Sequence, residues 1–321
     1  MDVILDETSL VPCDAWNPAG RIQTLASTLK ALDQLGCARV LRTVRAAADH
    51  DIGQGRGLRG WCFDPGTNRD AGKFIAQRLG KQPFIDGADG LFAVAEGERA
   101  IEGSALGATV VGLAYAALTG DPTVALSSST SAAGTVVAVE LITLDVESEI
   151  RETVHVCRLV TEDDVLQQSA AIMQGVKDSV VNGDQLLKRA DELFPRLRFG
   201  PTAREQIAAL SGNEPVFHQL FRHLRALDQG AASWQPDAQY SPSEAITWSR
   251  ESNATLDHRT YGPLRDFPMP GGFSPRRWSD HTKLSGGAGA RLYFHAERTD
   301  ESALVLIGYF GGHLSTIRFG G

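Results

Sequence analysis

The chain reads as an α/β protein that closes on a small antiparallel β-meander, an α+β organisation when taken whole. Three observations predict this. Apolar extended segments alternate with helical periodicities over residues 1–160. Helical periodicity with few β-branched runs fills 161–230. Extended segments then follow one another closely from His281 to Phe310. The expected domains are an α/β domain (1–160), a helical region (161–230) and a β-rich domain (239–321).

Met1-Asp-Val-Ile-Leu is a strand ended by Asp6 and Glu7. Ile22, Leu25, Leu29 and Leu32 recur at helical spacing over Arg21 to Gln34, with Gly36 as the stop. Ala38 to Val44 is a second strand, Gly53 to Gly60 a loop, and Asn68 to Leu79 a helix. Gly103 to Leu118, rich in small residues, reads as a helix packed on a sheet. Thr123 to Ser127, Thr135 to Leu144 and Val154 to Leu159 are strands, and Ser127 to Ser131 a turn. Asp163 to Val180, Gly183 to Leu193, Thr202 to Leu210 and Val216 to Leu227 are helices. Gln229 to Pro242 reads as a linker.

Charge is uneven. The chain carries −8 in all, and from Ala245 onward nine Lys/Arg against seven Asp/Glu give +2, so Met1 to Glu244 carries −8 − 2 = −10. Four of the eight histidines lie in the same closing stretch, so any polyanion contact belongs there. Cys13, Cys37, Cys62 and Cys157 form no C-x-x-C pair, which points to free thiols. No signal peptide is expected, and the apolar run Ala105 to Leu118 is too short to span a bilayer. The expectation is a cytoplasmic protein without a membrane segment.

Gly55-Arg-Gly57-Leu-Arg-Gly60 spells G-x-G-x-x-G, but no strand precedes it and Trp61-Cys-Phe follows, so a dinucleotide site is rejected. A Walker A motif is absent from the sequence. Asp6 and Glu7 offer carboxylates at a strand end, with Asp49, Asp51, Glu96 and Glu98 as further acids, for a metal-dependent nuclease. Carboxylates at strand ends more often face solvent or cap a helix.

The closing segments hold the richest chemistry. In extended chain, alternate side chains share a face. His281 and Lys283 then lie on one face of their strand, and Arg291, Tyr293 and His295 on one face of the next; Leu284, Leu292 and Phe294 point to a core. Ala303 to Phe310 is a buried central strand, and His313 follows. Three histidines invite a zinc site, but Lys283 and Arg291 repel a cation. An anionic ligand suits them better. Guanidinium and ammonium groups neutralise phosphate, and a histidine exchanges protons with a 2′-hydroxyl or a leaving oxygen. The plainer alternative is a solvated sheet face with ordinary surface charges.

The progression Phe273…His281-x-Lys283…Arg291-Leu-Tyr293-Phe294…Leu306-Ile307-Gly308-Tyr309…His313-Leu314 resembles the β-meander core of the RelE/HigB-type toxin superfamily. The resemblance covers about the last 75 residues. It implies a metal-independent mRNA endoribonuclease without cofactor. Lys283 and Arg291 would meet the phosphate, and His281, His295 or His313 would move protons. His281, Lys283, Arg291 and His313 are the candidate catalytic residues. Arg250, Arg259, Arg265, Arg276, Arg277, Tyr293 and His295 are the candidate RNA contacts, with His258 and Tyr261 beside them. A large acidic domain fused to a toxin-like nuclease is similar in architecture to bacterial antiphage proteins. That likeness implies a regulatory first part and a possible protein partner or antitoxin. Two alternatives stay open: a non-enzymatic subunit that binds nucleic acid or a partner, and a metal-dependent nuclease built on Asp6.

Overall fold

The computed structural model describes residues 1–12, 18–37, 40–44, 49–81, 84–85, 101–127, 136–144, 149–212, 215–243, 246–271, 274–284, 289–299 and 302–317. Cys13, Glu96, Glu98, Phe273 and most of the Ser127 to Ser131 cluster lie outside them. The chain divides into two compact units. One comprises Met1–Phe92, Glu102–Ile142 and Thr153–Ser179; the other comprises Ala93–Ile101, Thr143–Glu152 and Val180–Gly321.

In the first unit, β1 (Val3–Leu5) is buried throughout. Helix α1 (Pro18–Gln34) buries Ile22, Leu25, Leu29 and Leu32, the stripe its periodicity predicts. Strand β2 (Leu41–Arg42) follows, then α2 (Leu58–Cys62) and α3 (Arg69–Leu79). Asn68 caps α3 by accepting from the Asp70 and Ala71 amides, both at 3.0 Å.

The segment after Gly103 differs from its predicted helix. It forms a hairpin of β3 (Ile101–Ala105) and β4 (Ala108–Val110), and only then α4 (Gly112–Thr119). The two turn residues, Leu106 and Gly107, both take positive φ (53° and 78°), the geometry of a tight hairpin. Small-residue composition concealed this, because Leu106 is a poor advertisement for a left-handed turn.

Strands β5 (Thr123–Val124), β6 (Val136–Leu144) and β7 (Glu149–Leu159) and helix α5 (Glu162–Asp178) follow. A reciprocal Thr161–Asp164 capping box starts α5. The strands form one mixed sheet in the order β2-β1-β5-β7-β6-β3-β4. The pairs β1–β2, β1–β5 and β5–β7 are parallel. Crossover helices joining parallel strands make this an α/β fold.

In the second unit, α6 (Gly183–Lys188) and α7 (Ala190–Leu193) lead to β8 (Leu197–Phe199), α8 (Pro201–Ala208) and α9 (Pro215–Ser233). Then come β9 (Trp248–Arg250), α10 (Asn253–Asp257), β10 (Asp266–Phe267) and β11 (Arg276–Arg277). The chain closes on β12 (Asp280–Lys283), β13 (Arg291–Arg298) and β14 (Ala303–Gly311). The main sheet has the order β8-β14-β13-β12-β9, antiparallel except for β8, which runs parallel to β14.

The helices expected as a separate region divide at Ser179. Helix α5 belongs to the first unit, and α6 to α9 belong with the closing sheet. Leu292, Phe294, Val305, Ile307 and Phe310 share one core with Phe217, Leu220 and Leu224 of α9 and with Ala203 and Ile207 of α8. A three-stranded meander alone cannot bury its apolar face; two helices supply the missing layer. The predicted linker also differs. Helix α9 continues through it to Ser233, and the chain folds straight back, with the Tyr240 hydroxyl donating to the Leu227 carbonyl at 2.9 Å.

Candidate functional site

The pleat of the closing sheet sorts its side chains as the alternation predicts. Leu284, Leu292 and Phe294 enter the helix-covered core. The opposite face is arranged in rows by register. Lys283 lies across from Arg291, and Arg291 from Gly311. The next row reads Ser249, His281, Tyr293, Tyr309 across four strands. A third row holds His295, Leu306 and Arg198.

A bulge between the rows keeps them aligned: the register of β14 skips Gly308 beside Tyr293 and Phe294. A Cβ on Gly308 would lie 2.6 Å from the Trp278 ring, so the missing side chain is what lets the indole lie flat on the strand.

This face is roofed. The segment from Glu251 to Trp278 folds over it through α10, a 3₁₀ turn at Gly262–Arg265 and the β10–β11 hairpin. Phe267, Trp278, Tyr293 and Leu306 make a second small core, with Met269, Tyr309 and Leu314 packed on it. The expectation of an open basic surface is corrected accordingly. Tyr293 and Arg291 are each 1% exposed and Arg265 is wholly buried, so none of the three reaches a ligand in this conformation. The polar groups beneath a roof need internal partners; Tyr293 and Arg265 have them, whereas Nε of Arg291 is buried without a hydrogen bond among the described residues.

Glu251 is the hub that sequence reasoning missed. Its Oε1 accepts from Arg265 Nε at 2.8 Å and from the Tyr293 hydroxyl at 2.6 Å. Arg265 also donates to the carbonyls of Tyr261 (3.0 Å), Ser315 (3.1 Å) and Leu314 (3.4 Å), tying the roof to the chain after β14. Burial and the Glu251 charge push the Tyr293 phenol far above its ordinary range. A signal for Glu251 was present: in Ser249-Arg-Glu251 the two outer residues share a strand face.

His281 sits at the margin of the roof. Its Nε2 is 3.1 Å from Ser249 Oγ, and its Nδ1 is 3.4 Å from the Ser279 carbonyl. A carbonyl only accepts, so Nδ1 carries the proton and Nε2 takes the Ser249 hydroxyl proton in its hydrogen bond. Burial pushes the imidazole down to about 4, assisted by the Arg291 and Lys283 charges and opposed by Glu251. At neutral pH His281 is therefore an uncharged proton acceptor aimed at a hydroxyl.

Lys283 on β12 and Ser249 on the neighbouring edge strand β9 are both half-buried. The Arg291 guanidinium donates through Nη1 to the carbonyls of Gly289 (3.0 Å) and Ala290 (3.2 Å). His313 lies two residues past the Arg291 partner, half-buried, in a segment held by Tyr309 through Gly312 and by Arg265 through Leu314.

The remaining candidate RNA contacts are distributed over the roof. Arg250 pairs with Asp280 (2.7 Å), Arg276 with Glu297 (3.4 Å) and Arg277 bidentately with Asp266 (2.9 Å). These pairs are exposed and weak, and a phosphate competes readily with such carboxylates. Arg259 is exposed. His295 is half-buried, 3.6 Å from Glu297 and edge-on to Trp278. Its imidazole is lowered by burial and by Arg276.

The carboxylates proposed for a metal in the first unit have other work. Asp6 is wholly buried in an ion pair with Arg158 at 2.6 Å. Glu7 accepts from the amides of Val111 (2.6 Å), Gly112 (2.7 Å) and Leu113 (3.2 Å) at the start of α4. Asp51 holds its own turn through the Gly53 and Arg56 amides. Among the described residues no group of acids, histidines and cysteines is placed to hold a metal ion, and no helix is long and apolar enough to cross a membrane.

Comparison of the chain with protein-family models, with curated proteins and with solved structures yields no match in any of the three.

Proposed function

We propose that the second unit is a metal-independent endoribonuclease of toxin type, with the first unit regulating it. The observation that carries this reading is the His281–Ser249 contact beside Lys283 and Arg291. A neutral imidazole nitrogen 3.1 Å from a hydroxyl, with Lys283 and Arg291 in the neighbouring row, is an arrangement able to accept the proton of a ribose 2′-hydroxyl.

The chemistry follows from the residues. His281 Nε2 takes the proton of a ribose 2′-hydroxyl that displaces the Ser249 hydroxyl from its contact. The 2′-oxygen bonds to phosphorus, the bond from phosphorus to the 5′-oxygen breaks, and a 2′,3′-cyclic phosphate forms. His313, two residues past the strand partner of Arg291, returns a proton to the 5′-oxygen. Lys283 neutralises charge on the non-bridging oxygens, while Arg291 supports it from below.

The test is cleavage of a fluorescent RNA oligonucleotide by the full chain in EDTA. The expected product ends in a cyclic phosphate, a 2′-O-methyl substrate is inert, and His281→Ala and Lys283→Ala each reduce the rate at least about a hundredfold. Full activity in both folded variants would remove the reading.

A second reading, a nucleic-acid-binding subunit without cleavage, is favoured by one fact: His281 is only 7% exposed beneath the roof. Tight, salt-sensitive binding without product would select it.

A further inference from the structure

At the far edge of the same sheet, an open cleft of about 470 Å³ is lined by Lys188, Asp191, Arg198, Arg204, Pro270 and Gly271 among others. That is a volume suited to a ligand fragment of nucleotide size. Three cations face one carboxylate. Arg198 Nη1 donates to the carbonyls of Pro195 (2.9 Å) and Leu197 (2.7 Å), which hold the guanidinium in place without neutralising it. Arg204 is exposed, and no carboxylate among the described residues pairs with its guanidinium. Lys188 pairs with Asp184 within its own helix, 72% and 60% exposed, a contact that contributes little.

The register gives this cleft its meaning. Leu197 and Phe199 of β8 turn into the helix-covered core, so Arg198 between them points to the other face. Arg198 is aligned with Leu306, and Leu306 with His295, on the face that also carries His281. From β8 to β12 is three strand spacings, about 14 Å. A strand of a few nucleotides spans that distance.

We propose that this cleft binds the phosphodiester backbone of single-stranded RNA at nucleotides remote from the scissile bond, through Arg198 and Arg204. This rests on the ribonuclease reading for its substrate but uses none of the same residues. The groove would raise affinity for long substrates and leave chemistry on short ones untouched.

The experiment compares the full chain with Arg204→Glu and with the Arg198→Glu/Arg204→Glu double variant. Binding of a 2′-O-methylated 12-nucleotide RNA is followed by fluorescence anisotropy from 50 to 300 mM salt. Cleavage of an unmodified dinucleotide is measured in parallel. Both arginines are at the surface, and circular dichroism reports whether the variants stay folded. Arg204→Glu alone breaks no side-chain hydrogen bond or ion pair among the described residues and serves if the double variant does not fold.

The expected result is at least about tenfold weaker binding for the double variant and a log–log salt slope smaller by about 1.4, or 0.7 for each lost phosphate contact. Dinucleotide cleavage is expected to stay at the level of the unaltered protein. Unchanged affinity and slope in folded variants overturn the groove, as does absence of 12-mer binding by the unaltered chain. If the groove variants lose binding but no protein cleaves either RNA, the groove stands as a polynucleotide site and the ribonuclease reading fails.

Discussion

The Tyr293 hydroxyl donates to Glu251 Oε1 at 2.6 Å in a site closed to solvent, and the same oxygen accepts from the buried Arg265. One carboxylate oxygen thus joins the middle of the sheet to its roof. Removing it strands a wholly buried guanidinium. Glu251→Ala is expected to cost about 3–5 kcal/mol of unfolding free energy, because an uncompensated buried charge remains. Tyr293→Phe removes one donor while Arg265 keeps its ion pair, and is expected to cost about 1–2 kcal/mol. Denaturant unfolding monitored by Trp fluorescence measures both; equal, small effects would show that the roof does not depend on this carboxylate.

Protonation of His281 gives a second expectation. Its folded-state value near 4 lies below the ordinary 6.5, so between these pH values the unfolded chain binds the extra proton. Stability then rises with pH across that window and is lost as pH falls from 6.5 toward 4. A displacement from 6.5 to about 4 corresponds to something on the order of 3 kcal/mol. His223, wholly enclosed and hydrogen-bonded to Thr282 Oγ1 at 2.8 Å, is lowered for the same reason and acts in the same direction. His281→Gln is expected to flatten the acid limb of a stability–pH curve, and His223→Gln to flatten it further. A curve unchanged by either substitution would mean that carboxylates alone set it.

Which of these relations could be read in the chain itself depends on their range. Alternation placed His281 and Lys283 on one face and Leu292 and Phe294 on the other, since period two is a local property. The burial of that face was not legible. It depends on Arg265 reaching the Leu314 carbonyl, 49 residues away, and on Trp278 lying over Gly308. In the sequence, Arg265 is one more cation in a basic stretch, and only its partner Glu251 makes it a structural residue. The Leu106-Gly107 hairpin was hidden for a different reason: Leu106 adopts a backbone conformation that its own propensity disfavours. The helices were found as helices, but sequence periodicity does not say which sheet a helix covers.

The ribonuclease reading carries its own pH signature. An ordinary histidine base loses activity below about pH 6.5 as it becomes protonated. His281, lowered to about 4, stays a proton acceptor to lower pH. On its acid side, single-turnover cleavage is expected to persist down to about pH 5 and to fall only near pH 4. An acid limb centred at 6.5 would assign the base to another group. Ser249→Ala frees Nε2 of its resting partner without touching the base, and is expected to leave the rate within about threefold of the unaltered protein. Loss of activity in Ser249→Ala comparable to that in His281→Ala would recast Ser249 as the nucleophile of a different reaction.

Asp6 separates the metal-dependent alternative from a structural role. Its carboxylate accepts from Arg158 Nε at 2.6 Å, with both side chains almost wholly enclosed, and also from the Thr8 amide at 2.9 Å and the Thr8 hydroxyl at 2.6 Å. A carboxylate so occupied has little capacity left for a cation. Asp6→Ala is expected to destabilise the first unit by about 3–5 kcal/mol, since Arg158 loses a buried ion pair. Asp6→Asn, which keeps an acceptor for Arg158, is expected to cost less. A metal ligand behaves in the opposite order of readouts: Asp6→Asn would preserve stability and abolish Mg²⁺-dependent cleavage. Isothermal titration with Mg²⁺ and Mn²⁺, set beside thermal unfolding of the same two variants, decides between them. Stoichiometric binding lost in Asp6→Asn would return the chemistry to the first unit, because no ion pair of Asp6 with Arg158 could then be the resting state of a working enzyme.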